Sequence, residues 1–253
     1  MKRISVYILT FTTFIFIISC KNDVKSGLDT EAIVTDTIPK QVQPKYMFVT
    51  AVSGLTLREH PNLQSTKLAV MPLGTKVKIT APEANTTMTV GGITGGMDEV
   101  EYNNKTGYAF NGFLSKFAPP GEKALSKNYA EELKKDFPDV VYSEATGEMA
   151  SKPSKIETIF LPTDKWHEAF FMAQQLFQIP RTFAFPNPQG SNFETQQDSN
   201  KAKNVENSKL EITRSNNNLQ EILYTQKSPK SGYKVRIAKD GNTMKIEKDS
   251  YVE

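Results

Sequence analysis

Few residues of this chain could do chemistry, and their spacing limits what that chemistry is. One cysteine, Cys20, and two histidines, His60 and His167, are the whole supply of thiol and imidazole in 253 residues. A zinc site draws on three or four ligands, commonly two histidines at a spacing such as H-E-x-x-H. Here His167-Glu168 is followed by Ala169, Phe170 and Phe171, so the second histidine is missing. No metal and no cofactor is expected. The G-x-S-x-G elbow of one serine hydrolase class does not occur. Asp164, Glu168 and Glu131-Glu132 read as charges on helix faces, not as the carboxylate pair of a glycosidase. Gly91-Gly92 and Gly95-Gly96 lack the Gly-Lys-Ser and the following helix of a phosphate loop. The pattern points to a non-catalytic protein, with an unrecognised serine or carboxylate site in the C-terminal half as the alternative, a hydrolase.

The position of Cys20 gives it a different use. It closes an apolar run from Ile4 to Ser19 that follows Lys2 and Arg3. A run of about 16 residues is shorter than the roughly 20 that span a bilayer as a helix. A positive start, an apolar stretch and a small residue at its end are the parts of a signal peptide. Ile17-Ile18-Ser19-Cys20 resembles the lipobox of bacterial lipoprotein signal peptides. That resemblance implies a signal peptide at 1–19, cleavage before Cys20, a diacylglycerol on its sulfur and acylation of the new amine. Two or more acyl chains hold a protein stably to a membrane, at about 0.8 kcal/mol per buried methylene. Lys21, in place of the aspartate that resembles an inner-membrane retention signal, favours the outer membrane.

The elements that must position any site begin after a polar stretch. Residues 20–45, with Pro39 and Pro44, read as a tether. From Tyr46 the sequence breaks into short Val-, Ile-, Leu- and Thr-rich runs: Tyr46 to Val52, Leu55 to Arg58, Lys67 to Met71, Thr75 to Thr80, Met97 to Tyr102 and Thr106 to Phe110. Turn residues separate them, Asn103-Asn104 among them, so a small β-barrel or sandwich is expected. Lysine and arginine total 31 against 28 acidic residues and are mixed along the chain, without the basic cluster of a nucleic-acid binder.

These runs also carry a resemblance. Leu55, Leu57 and Arg58, then Leu73 to Val77, then Lys105 to Tyr108 with Phe113 and Leu114, are similar in order to the elements of the bacterial SH3 domain, SH3b. The resemblance covers about 46–118 and implies an SH3b-like small barrel that holds a peptide of the cell wall, peptidoglycan, or of a partner protein. Tyr46, Tyr102, Tyr108, Phe110 and Phe113 are candidates to line its groove, with Arg58 and Glu59 as polar neighbours. The sequence departs from the family at Glu59-His60-Pro61 and in an insertion, Asn85 to Gly96. SH3b modules often accompany cell-wall peptidases, whose papain-like members need a cysteine nucleophile, and a lipid on Cys20 leaves no thiol for that chemistry.

Beyond the Ala118-Pro119-Pro120-Gly121 linker, 122–253 reads as an α+β domain with helices packed on an antiparallel meander. Tyr129, Ala130, Leu133 and Phe137 predict a helix over Ser126 to Asp136, capped by Ser126. Trp166, Ala169, Phe170, Ala173, Leu176 and Phe177 recur at three and four residues and predict a second, capped by Thr163 or Asp164 and stopped before Pro180. Phe171 and Met172 widen its stripe, so burial on more than one side is expected. Residues 186–209 read as an exposed excursion. Four strands follow, Leu210 to Arg214, Leu219 to Gln226, Gly232 to Lys239 and Thr243 to Lys248, with Asp240-Gly241 as a hairpin signal. Together these readings describe a mainly β envelope lipoprotein, a membrane-anchored binding module.

Overall fold

Alternation of apolar and polar side chains builds both halves of the chain over residues 46–253, the part that the computed structural model describes. Cys20, the signal peptide at 1–19 and the tether at 20–45 lie outside the described residues. In the first half come β1 (Tyr46–Val49), β2 (Leu55–Arg58), β3 (Lys67–Met71) and β4 (Lys76–Ala81), then a separate hairpin of β5 (Met88–Val90) and β6 (Ile93–Gly95). β7 (Met97–Tyr102), β8 (Lys105–Phe110), a 3-10 turn at Asn111–Phe113 and β9 (Leu114–Ser115) complete it. The order β3-β2-β8-β7-β4-β1-β9 is antiparallel throughout. Val49, Leu57, Met71, Val77, Val100, Ala109 and Leu114 are buried in its core.

That sheet is open at β3 and β9, and no closed barrel forms among the described residues. β2 meets β8 through the single pair Arg58 and Tyr108, and β9 is only two residues long. The insertion expected between Asn85 and Gly96 holds the β5–β6 hairpin, which turns at Gly91-Gly92.

The second half adds α1 (Ser126–Leu133), β10 (Val141–Met149), β11 (Lys152–Leu161), α2 (Trp166–Phe177), β12 (Phe193–Gln197), β13 (Asn207–Ser215), β14 (Asn218–Ser228), β15 (Ser231–Asp240) and β16 (Thr243–Val252). Its antiparallel sheet runs β10-β11-β16-β15-β14-β13-β12. The described chain is thus mainly β, with two seven-stranded antiparallel sheets and two short helices. α2 packs on β15 and β16. Ala169, Phe170, Ala173 and Phe177 of its stripe are buried, as are Phe171 and Met172 beside it. Both sheets belong to one compact unit, and Phe185 packs on both cores.

The helix starts differ from the sequence expectation. Leu125, not Ser126, occupies the N-cap of α1, because the Ser126 hydroxyl donates to Glu157 Oε1 at 2.6 Å instead. Lys165 is the N-cap of α2. Thr163 still serves the start of α2: its hydroxyl donates to Glu168 Oε2 at 2.6 Å and accepts from the Lys165 N–H at 3.2 Å. Pro180 follows the left-handed C-cap Gln178, where φ is 59°.

Residues 186–209 contain β12 and the first residues of β13 where an excursion was expected. Polar anchors replace apolar ones here. Arg214 donates to the carbonyls of Asn187 and Ser191 and to Glu194, while Asp198 accepts from Thr182, Ser208 and the Asn200 N–H.

Tight two-residue turns close most of the hairpins. Asn103-Asn104 and Asn216-Asn217 hold the positive φ angles that such turns need, while the Asp240-Gly241 signal is realised one residue on, with Gly241 first at φ 58°. The β10–β11 turn is built instead from Ala150 and Ser151, at φ 54° and 59°. A left-handed conformation costs an ordinary residue about 1–2 kcal/mol. Replacing Ala150-Ser151 with Asn-Gly is therefore expected to stabilise the protein by about 1–2 kcal/mol. A urea midpoint that stays put or falls would contradict this.

Candidate functional site

Residues directly opposite in an antiparallel pair share a face of the sheet, and neighbours along a strand alternate. Arg58 lies opposite Tyr108, Tyr108 opposite Glu99, and Phe110 opposite Met97. These five side chains therefore share one face, while Leu57, Val100, Gly107 and Ala109 fill the other. Tyr102 falls on the Val100 face, away from Tyr108 and Phe110.

A cavity of about 420 Å³ lies on the Arg58 face. Phe110, Met97 and Phe113 form its apolar bed, Val52 and Leu63 stand exposed at its rim, and Arg58 supplies its charge. Arg58 Nη1 donates to the Ser65 carbonyl at 2.8 Å, which orients the guanidinium. The β5–β6 hairpin contributes Val90. Gly112 allows the close fit beneath that hairpin: a Cβ there would sit 2.4 Å from the Phe110 ring and 2.7 Å from Ile93.

A second cavity of about 210 Å³ shares Ala51, Val52 and Phe113 with the first. α2 walls it with His167, Phe170, Phe171 and Gln174, and the segment after α2 adds Arg181, Phe183 and Phe185. Gln174 Nε2 donates to the Phe183 carbonyl at 2.9 Å, which pins that segment to the helix. Phe185 meets His167 and Phe170 edge to face, at centroid distances of 6.0 and 5.8 Å.

His167 is uncharged at neutral pH. Its Nε2 is enclosed without a hydrogen-bond partner, and burial, helped by the nearby Lys165 charge and opposed by Asp164, pulls its pKa down to about 4. An unfolded histidine titrates near 6.5. Well above pH 6.5 both states are neutral, and the contribution of this site to stability is complete. As the pH falls towards 4 the unfolded chain takes up its proton first, and about 3 kcal/mol is lost. In His167→Phe this part of the acid loss is expected to disappear, so the urea midpoints of the two proteins should diverge between about pH 7 and 5. Parallel curves would overturn the assignment.

The sequence candidates scatter around this site. Arg58, Phe110 and Phe113 line the first cavity. Tyr108 is half-buried beside Arg58 on the same face. Glu59 is exposed, its N–H donating to the Thr66 carbonyl. Tyr46 lines a different cavity, of about 490 Å³ against α1, where Lys76 lies 4.9 Å from its ring centre. His167 and Arg181 gave no signal as ligand contacts, because only the approach of α2 and the segment after it to Thr50, Ala51, Val52 and Phe113 brings them to the groove.

Other polar clusters are structural. Ser208 is buried between Asp198 and Tyr224, at 3.1 and 3.0 Å, with no histidine in the network. Among the described residues no group of three or more His, Cys, Asp or Glu is placed to hold a metal ion. No described helix is long and apolar enough to cross a membrane. No family model, curated protein or solved structure matches the chain.

Proposed function

We propose that this chain is an envelope lipoprotein, anchored to a membrane through Cys20, whose SH3b-like N-terminal half acts with α2 as a non-catalytic binding module for a peptide. The ligand is a cell-wall peptide or a segment of a partner protein. The observation that carries this reading is the adjoining pair of apolar cavities beside Arg58. Concave, mainly apolar sites with a few fixed polar groups are where ligands bind, and Arg58, Phe110 and Phe113 belong to the stretch that resembles SH3b. Anchoring confines the groove to the membrane surface and raises its effective concentration for envelope ligands. A serine-nucleophile site at α2 needs an imidazole hydrogen-bonded to that serine, and His167 Nε2 has no such partner.

Two measurements test the two parts. Labelled palmitate fed to expressing cells is expected in the wild-type chain and absent from Cys20→Ser; equal labelling would remove the anchor. The full chain is expected to sediment with purified peptidoglycan. Recovery wholly in the supernatant would remove the cell-wall ligand and leave the partner-protein form.

A further inference from the structure

We infer that the two adjoining cavities select an acidic peptide segment, one that offers carboxylates to Arg58 and Arg181 and a large apolar side chain to the pocket beside His167. This rests on the peptide-binding reading and sharpens it to a chemical class. The described residues contain four arginines. Two of them, on the second sheet, are already committed: Arg214 pairs with Glu194 at 2.8 Å and Arg236 pairs with Glu221. Arg58 and Arg181 form no ion pair among the described residues, and these are the two that line the groove. Each is held only by a neutral acceptor, the Ser65 carbonyl for Arg58 and Gln175 Oε1, at 3.1 Å, for Arg181.

The surroundings are one-sided. Neither cavity is lined by an aspartate or glutamate. His167 stays neutral and adds no charge of its own. A carboxylate entering the groove meets guanidinium groups with free donors and no acid in the lining, Glu99 on the same face lying beyond Tyr108 and accepting from the Thr80 hydroxyl at 2.8 Å, and such charge-assisted bonds are roughly twice as strong as neutral ones. A basic ligand would meet like charge without a counterion. The inner cavity, walled by Phe170, Phe171, Phe183 and Phe185, has the volume of about seven waters at about 30 Å³ each, room for one apolar side chain.

The test uses the immobilised full chain and three degenerate octapeptide pools with the same apolar positions and acidic, uncharged or basic residues at the rest. Wild type is expected to retain the acidic pool about tenfold over either other pool at low salt, with the preference shrinking at high salt. Arg58→Gln with Arg181→Gln should abolish the preference at an unchanged urea midpoint, whereas Arg236→Gln should keep it. Equal retention of uncharged or basic peptide, or an acidic preference that survives the double substitution, would overturn the charge assignment and leave groove binding standing. Retention of no pool would overturn both.

Discussion

Truncating Phe177 to alanine is expected to lower folding stability by about 3–5 kcal/mol, read as a shift of the urea midpoint at unchanged slope. Phe177 closes α2, is 1% exposed, and belongs to the core formed with β15 and β16. Its ring centre also lies 5.8 Å from Lys248 Nζ, and the Tyr233 ring centre lies 5.0 Å from the same nitrogen. Truncation removes the ring contacts and leaves a cavity that the sheet cannot close, since strands on both sides fix its backbone. A loss below about 1 kcal/mol would show that α2 is not docked as described. The same variant should loosen the second cavity, because His167, Phe170 and Gln174 ride on this helix.

Replacing Arg214 with alanine is expected to cost about 3 kcal/mol. Its side chain is fully buried. Nε and Nη2 donate to the Asn187 carbonyl at 3.1 and 2.7 Å, Nη1 to the Ser191 carbonyl at 3.0 Å and Nη2 to Glu194 at 2.8 Å. Alanine leaves two carbonyls without a donor and an open volume behind them. Glu194 is half in water and recovers part of its loss by hydration, which keeps the figure at the lower end of the range for broken buried pairs. Lysine should rescue little, since one ammonium cannot reproduce the planar fork. A midpoint within about 0.5 kcal/mol of wild type would mean that the 187–191 segment is held by something else.

That network explains where the sequence was hardest to read. Residues 186–209 are poor in apolar side chains, and their order comes from Arg214 and Asp198, whose partners are distant in sequence. β10 and β11 gave no signal either: Val141–Met149 is an edge strand that is exposed along most of its length, and its Ala150-Ser151 turn lacks the residues that mark a hairpin. By contrast the four C-terminal strands alternate cleanly and turn at Asn, Pro and Gly, and α2 showed its apolar stripe. At the site, Arg58 and Phe110 were legible because they lie in short alternating strands, and Phe113 because it follows directly in the 3-10 turn after β8. His167 and Arg181 were not, because their place depends on how α2 and the segment after it meet Thr50, Ala51, Val52 and Phe113. Tyr102 illustrates the reverse limit: an aromatic in the right hairpin lands on the opposite face by a single step of alternation.

The most direct test of groove binding is Val52→Glu. Val52 stands 47% exposed on the wall common to both cavities, so the substitution should change stability by no more than about 0.5 kcal/mol. It places a carboxylate in the path of the bound segment, against the acidic class that Arg58 and Arg181 favour. Retention of the acidic octapeptide pool by the full chain is expected to fall at least about tenfold; retention equal to wild type, at an unchanged urea midpoint, would contradict binding in this groove.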